Sequence, residues 1–291
     1  PSELGYGSAR YGYQIGSDGT EVAVSGSYGR TQAGGFWRQF DTNGTTFSAG
    51  VSVAHPLVRG RKSSLWLNAG LDYLALTQNF AGFNVRRDRL AIASVSLNGF
   101  WPVAGGRLRL GAGVNQGLGL AGTTLAGDPL SSRPDASGRF TRFNMWGNWV
   151  GDLYGPFSAR LAFSAQTTTS PLLAMQQISL GGPSFGRAYD FSERTGDRGV
   201  LGSAELQANL LDHDKGLLRS AQLYSYADAG VVENLTNTLG TGSLSSAGMG
   251  TRLGFAQRFL LSMEAAFPLN QPRYQTGDKT PRLTASLIKA F

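Results

Sequence analysis

The residues with the most chemical potential lie in one stretch, Gln177 to Gly199, which reads Gln-Ile-Ser-Leu-Gly-Gly-Pro-Ser-Phe-Gly-Arg-Ala-Tyr-Asp-Phe-Ser-Glu-Arg-Thr-Gly-Asp-Arg-Gly. Within it, Gly182-Pro-Ser184-Phe-Gly186 fits the G-x-S-x-G elbow of serine hydrolases. Asp190 or Asp197, followed by His213, would complete a triad in the right order. That elbow works at a strand-to-helix turn, which lifts the serine hydroxyl above a sheet. No helical periodicity follows Gly186, so no catalytic residue and no enzyme activity are expected. The two histidines, His55 and His213, are far apart in sequence. With no cysteine, a metal site of the usual nitrogen and sulfur type is not expected, and no cofactor is implied. What the stretch does offer is glycine for tight backbone turns and concentrated charge. The whole connection, about Thr168 to Arg198, exceeds the ~12–15 residues beyond which a structureless loop is usually functional or disordered.

The elements around it follow a period of two. From Ser64 to Leu76, Leu65, Leu67, Ala69, Leu71 and Tyr73 share one face, and Trp66, Asn68, Gly70 and Asp72 the other. From Arg107 to Leu118, Leu108, Leu110, Ala112 and Val114 oppose Arg107, Arg109, Gly111, Gly113 and Asn115. From Phe157 to Gln166, Phe157, Ala159, Leu161, Phe163 and Ala165 oppose Ser158, Arg160, Ala162, Ser164 and Gln166. Phe259, Leu261, Met263, Ala265 and Phe267 alternate with Leu260, Ser262, Glu264 and Ala266. Alternation alone fits both a soluble sandwich and a membrane barrel. Length and loop asymmetry separate them. The segments run to about 10–13 residues, near the ~9–11 of a tilted membrane strand rather than the ~5–6 of soluble strands.

Connections alternate short and long. The short ones are Ser17–Thr20, Pro102–Gly106, Leu153–Pro156 and the stretch around Gln257. The long ones are Thr31–Gly44, Gly119–Arg139, Glu233–Ser245 and Asn270–Thr280. Bacterial barrels have short periplasmic turns and longer external loops. Phe100, Trp101, Tyr154, Phe157 and Phe291 gather near the short turns, where an aromatic girdle belongs.

Composition agrees. The chain has 291 residues, 41 of them Gly, with 15% charged and 41% hydrophobic residues. Gly stands at about twice its usual ~7% and charge well below the usual ~25%, while the hydrophobic share excludes disorder by composition. No apolar run of about 18 residues marks a transmembrane helix. A closed barrel is the other way to satisfy every backbone group in lipid. The formal charge of +7 is spread singly through strands, so nucleic acid is not an expected partner. The expected fold is an all-β transmembrane antiparallel barrel, with about thirteen strands visible. The chain starts at Pro1 without an initiator Met or signal peptide, so a processed or trimmed chain is expected.

The long connection resembles the signature of the two-partner secretion transporters (TpsB type) and of their superfamily, which includes the BamA and TamA assembly factors. In that family an extracellular loop folds back into the barrel. It carries LGG, then V-R-G-Y or V-R-A-Y, then a G-D-x-G element that opens the next strand. The matches are Leu180-Gly181-Gly182, Arg187-Ala188-Tyr189 and Gly196-Asp197-Arg198-Gly199. Gly186 stands where Val is usual, and Ala188 where Gly is commonest. Tyr224-Ser-Tyr226-Ala-Asp228-Ala-Gly230-Val231 resembles the family's aromatic-x-D-x-G strand, and Met263-Glu-Ala-Ala-Phe-Pro-Leu269 its penultimate strand. Leu283 to Phe291 resembles the C-terminal signature read by the barrel assembly machinery, with Phe291 as the terminal signal and Lys289 departing from the usual apolar residue.

The resemblance implies that Arg187 reaches Asp228 on the inner wall, with Tyr226 and Gly230 beside it and Tyr189 packed close by. Alternation agrees, since Leu223, Ala227, Ala229 and Val231 share one face and Asp228 lies on the other. Asp72, Glu205 and Glu264 are expected to wet the lumen generically, beside Arg107, Arg109, Arg142, Arg160 and Arg252. The family's sixteen strands place the long loop after the eleventh; here it follows the eighth. Residues 1–291 are therefore expected to be the C-terminal barrel without its first strands and upstream POTRA domains. The implied function is export of a large exoprotein of haemolysin or adhesin type through the outer membrane of a Gram-negative bacterium. The alternatives are an assembly factor of the same superfamily or a passive porin. Expected partners are the exoprotein, outer-membrane lipid and the assembly machinery, and the protein is expected to be a monomer.

Overall fold

The computed structural model describes residues 3–34, 40–120, 122–213 and 215–290. The alternating segments are strands: β1 (Leu4–Ile15), β2 (Thr20–Gln32), β3 (Asn43–Arg59), β4 (Ser64–Phe80), β5 (Phe83–Val103), β6 (Gly106–Leu118), β7 (Thr141–Asp152) and β8 (Phe157–Thr168). After the long connection, which holds the short β9 (Ile178–Leu180) and β10 (Arg194–Gly196), come β11 (Arg198–Asp212), β12 (Leu218–Glu233), β13 (Gly242–Phe255), β14 (Phe259–Pro268) and β15 (Arg282–Lys289). Thirteen strands form one sheet in sequence order, from β1 at one end to β15 at the other, while β9 and β10 pair separately. Sequential antiparallel order is what hairpins give when every second turn is tight.

Several strands run longer than their apolar alternation. β4 continues four residues past Leu76, to Phe80, and β5 spans 21 residues. Its first seven residues, Phe83 to Arg89, carry the charges Arg86, Arg87, Asp88 and Arg89, which break the apolar pattern. The hairpin between them closes on Ala81 and Gly82 at φ of 50° and 81°. Two successive residues at positive φ match the right-handed twist of the flanking strands. This tight turn lies among the long connections, an exception to the strict alternation of short and long.

The chain divides into two compact units. The first comprises residues 1–99, 111–144 and 167–177; the second comprises 100–110, 145–166 and 178–291. In the first, connections pack on one face of the sheet around Leu90, Ile92, Ala136, Phe140, Leu172 and Leu173. In the second, β9 and the residues after it pack on one face around Leu180, Ala188, Tyr189, Leu201, Tyr224, Tyr226 and Leu244. In each unit the sheet's opposite face is bare. Leu71, Leu161, Leu223 and Met249 are half exposed or more, and Leu65, Leu67, Leu108, Leu110 and Phe163 are not buried either. A belt of this kind on a water-soluble monomer would be an outsized apolar patch; on a barrel it is the surface that meets lipid.

Candidate functional site

The site is built on the second unit. Inward side chains of successive strands come into line through the ladder: Ser203 of β11 lies opposite Asp228 of β12, and Glu205 opposite Tyr226. One strand further, Gly248 and Gly250 of β13 lie opposite Tyr226 and Tyr224, and Gly250 lies opposite Glu264 of β14. The two glycines matter because the tyrosine rings lie flat across β13. A Cβ at Gly248 would stand 2.5 Å from the Tyr226 hydroxyl. With that space open, the hydroxyl of Tyr224 donates to Glu264 Oε2 at 2.8 Å and that of Tyr226 to Glu264 Oε1 at 3.1 Å.

The connection enters over this platform. β9 and β10 pair at its base. Between them Gly181, Gly182 and Gly186 stand at φ of 108°, 105° and 76°, left-handed values that a β-branched residue adopts only with strain. Glycine at position 186 thus sets the turn that presents Arg187. The chain after Gly186 forms turns and no helix, so Ser184 does not sit on a strand-to-helix elbow.

Arg187 is almost fully enclosed. Its guanidinium lies 3.6 Å above the Tyr226 ring. Its Nη1 donates to Glu205 Oε2 at 2.9 Å and to Glu264 Oε2 at 3.4 Å, and its Nη2 to Ser203 Oγ at 3.1 Å. Asp228 is buried and receives the Arg187 backbone N–H at 3.2 Å, with Nε 3.4 Å away. The fork therefore does not engage Asp228 bidentately. Asp228 holds the backbone and the neck of the side chain, and the terminal nitrogens go to Glu205, Ser203 and Glu264. A planar fork with five donors suits such a divided cage, whereas an ammonium ion does not.

Glu205 and Glu264, expected only to wet the lumen, are thus contact residues. Arg252 joins them: it donates to Glu205 Oε1 at 2.8 Å and to Gln222 at 2.7 Å, and stacks 3.9 Å over Tyr224. Each arginine lies on a tyrosine, and Glu205 bridges the two arginines. Alternation put Glu205 and Glu264 on the correct face. The signal that could have singled them out is the pair of inward glycines on β13, which open a path across that strand. Asp72, on β4 opposite Gly50, takes no part in the cage. Arg142 instead donates to the carbonyl of Gln176 at 3.1 Å, and Arg107 stacks on Phe100 at 5.3 Å.

The other motif residues hold the turn in place. Ala188 and Tyr189 are fully buried. The Tyr189 hydroxyl lies 3.0 Å from Asn270 Oδ1 and 3.0 Å from the carbonyl of Gln271, in the connection between β14 and β15. That connection also donates its Tyr274 N–H to Glu193 at 2.9 Å, and Arg282 donates to the carbonyl of Tyr189 at 2.7 Å. Asp197 is buried and accepts the Leu235 N–H at 3.0 Å. Gly196 and Gly199 lie where a Cβ would strike the backbone of Glu233 and of Val231, and Gly230 lies under Leu180. In the β14–β15 connection, hydrogen bonds from Arg273 and Thr280 hold the Asp278 carboxyl well below its ordinary value. At the end of β15, the Lys289 ammonium lies 5.2 Å over the Phe259 ring. Phe291 lies outside the described residues.

Residues 5–253 match the sequence model of the haemolysin secretion/activation proteins ShlB/FhaC/HecB. The chain belongs to this family. Its fold is that of the outer-membrane transmembrane β-barrels. CdiB from Escherichia coli matches with a TM-score of 0.78 at 19% identity, over 94% of this chain and 51% of its own. CdiB from Acinetobacter baumannii matches with a TM-score of 0.72 at 14% identity, over 98% of this chain and 50% of its own. BamA from Haemophilus ducreyi lacking POTRA domains 1–3 matches with a TM-score of 0.65 at 13% identity, over 99% of this chain and 63% of its own. The chain thus spans about half the length of the CdiB structures. Comparison with curated proteins gives no match. In a barrel of this family, a bare apolar sheet face of this kind is the one that meets lipid.

Proposed function

We propose that the full-length protein exports a large partner exoprotein, of haemolysin or adhesin type, from the periplasm to the cell surface through this barrel. The observation that carries the reading is the enclosure of Arg187 by Glu205, Asp228 and Glu264 on the same side of the sheet. A passive porin has no need to hold a loop in its lumen with a desolvated arginine, because burying that charge is costly unless every contact is made. A pore that must stay closed until a client arrives does need such an anchor. In this proposal the first barrel strands and the client-gripping POTRA domains precede residues 1–291, the assembly machinery inserts the barrel, and the transporter acts as a monomer.

The test expresses the full-length transporter with the exoprotein encoded beside it and measures the exoprotein in the medium. Export that depends on the transporter supports the proposal. Normal export without it, or a drop in the insertion of other outer-membrane barrels when it is deleted, contradicts it.

A further inference from the structure

We infer that the long connection has a second anchor, made by Leu172 and Leu173 in an apolar socket on the sheet of the first unit. This rests on the pore reading above but on different residues from the Arg187 cage. Barrel walls facing a lumen are polar as a rule. On β5, however, the residues Asp88, Leu90 and Ile92 share one face and are all buried, and the partly buried Leu74 of β4 packs against the same group. Wall residues of this kind must be covered by protein, and Leu172 and Leu173 cover them. Both are fully buried, against Leu90, Ile92, Ala136 and Phe140.

Polar contacts fix the same few residues. Arg133 Nη1 donates to the carbonyl of Leu172 at 3.0 Å. Ser132 joins wall and connection: its N–H donates to the buried Asp88 at 2.9 Å, and its Oγ accepts the Ala174 N–H at 3.0 Å. The connection between β6 and β7, which supplies Ser132 and Arg133, is itself tied to β5 by the Thr124 N–H, which donates to the Arg89 carbonyl at 3.0 Å, and by the Arg87 N–H, which donates to the Leu130 carbonyl at 2.6 Å. It extends the sheet edge that β6 leaves open and clamps the Leu pair from above. Two side chains of the kind that drive burial, with no chemistry of their own, are what a reversible anchor requires. Their release costs Arg133 one hydrogen bond but leaves its ion pair with Asp135 at 2.9 Å, whereas withdrawal of Arg187 leaves buried carboxylates behind. Leu172 and Leu173 are therefore positioning residues for the loop: they help to hold it where it shuts the resting pore, while export itself depends on the loop that the Arg187 cage keeps ordered.

The experiment is single-channel recording of the full-length protein in planar lipid bilayers, which needs no client. Leu172→Asn with Leu173→Asn should raise the frequency of spontaneous openings at least tenfold, and Leu172→Met with Leu173→Met should return it to the wild-type level. A purely structural role would lower the yield of inserted barrel and leave the opening frequency of inserted pores unchanged. Arg133→Ala, which removes the hydrogen bond and spares the apolar pair, should raise openings in the same direction if the Asn pair does not insert. Wild-type openings in these variants, beside an Arg187→Ala pore that does open, overturn the second anchor alone. A pore that stays shut in Arg187→Ala as well overturns both the anchor and the pore reading.

Discussion

The guanidinium carbon of Arg187 lies over the ring of Tyr226, 3.6 Å from its centroid, and the group's Nη1 is within 3.4 Å of both Glu205 and Glu264. Stacking and in-plane hydrogen bonds use different parts of one group, so neither competes with the other. Arg187→Lys keeps the charge and loses the stack and the fork. We expect it to destabilise the ordered loop nearly as much as Arg187→Ala, by about 3–5 kcal/mol for a buried pair broken on one side. Hydrogen exchange over residues 178–196 checks this: protection retained by the Lys variant would show that charge alone holds the loop.

Glu205 is shared between two arginines, 2.9 Å from Arg187 and 2.8 Å from Arg252. Losses at the two arginines should therefore not add. A double-mutant cycle of Arg187→Ala and Arg252→Ala should show a coupling of about 0.5–3 kcal/mol, as for residues in one network. Purely additive loop stabilities would mean that Glu205 serves them independently.

Gly248 opens the space for the Tyr226 ring to cross β13. Gly248→Ala puts a methyl 2.5 Å from the hydroxyl and 2.5 Å from the Ala265 carbonyl oxygen on β14, and overpacking of this kind costs about 1–3 kcal/mol. The variant should insert normally and still lose loop protection, because the ring beneath Arg187 must tilt. Unchanged protection over residues 178–196 would show that the strand yields instead of the ring.

Much of this site was legible in the sequence, and some of it was not. Period two gave the faces of β4, β6, β8 and β14, and glycine-rich spacing marked Leu180 to Gly199, since both follow from local chain geometry. The partition of Arg187's nitrogens was hidden, because it depends on which strands the ladder brings side by side. Glu205 and Glu264 are 59 positions apart by number, 205 and 264, yet meet at one guanidinium. Leu172 and Leu173 were hidden for another reason. Two leucines in a loop carry no periodic signal, and their socket on β5 begins among the charges Arg86 to Arg89 that mask the strand. Arg187 reaches Asp228, as expected, but through its backbone N–H and Nε on one oxygen, Oδ2, while its terminal nitrogens go to Glu205, Ser203 and Glu264.

The β14–β15 connection, which holds Tyr189 through Asn270 and Gln271, should respond to acid. The carboxyl of Asp278 has a lowered folded value, set by Arg273 and Thr280. A lowered folded value gives stabilisation that is complete above the unfolded value of ~3.9 and is lost as the pH falls through the folded value. Exchange protection near Tyr274 should be level from neutral pH to about pH 5 and fall in stronger acid. In Asp278→Asn that acid-dependent fall should vanish. A decline already present near neutral pH would point to another group.

The central claim is that the Arg187 cage holds the loop on which export depends. It is tested most directly by export from cells making the full-length transporter with Arg187→Ala, Asp228→Ala or both, normalised to inserted barrel. Each single variant should cut export at least tenfold, corresponding to about 1.4 kcal/mol or more, with insertion intact, and the double variant should be little worse than either. Wild-type export from fully inserted Arg187→Ala and Asp228→Ala barrels would contradict the account.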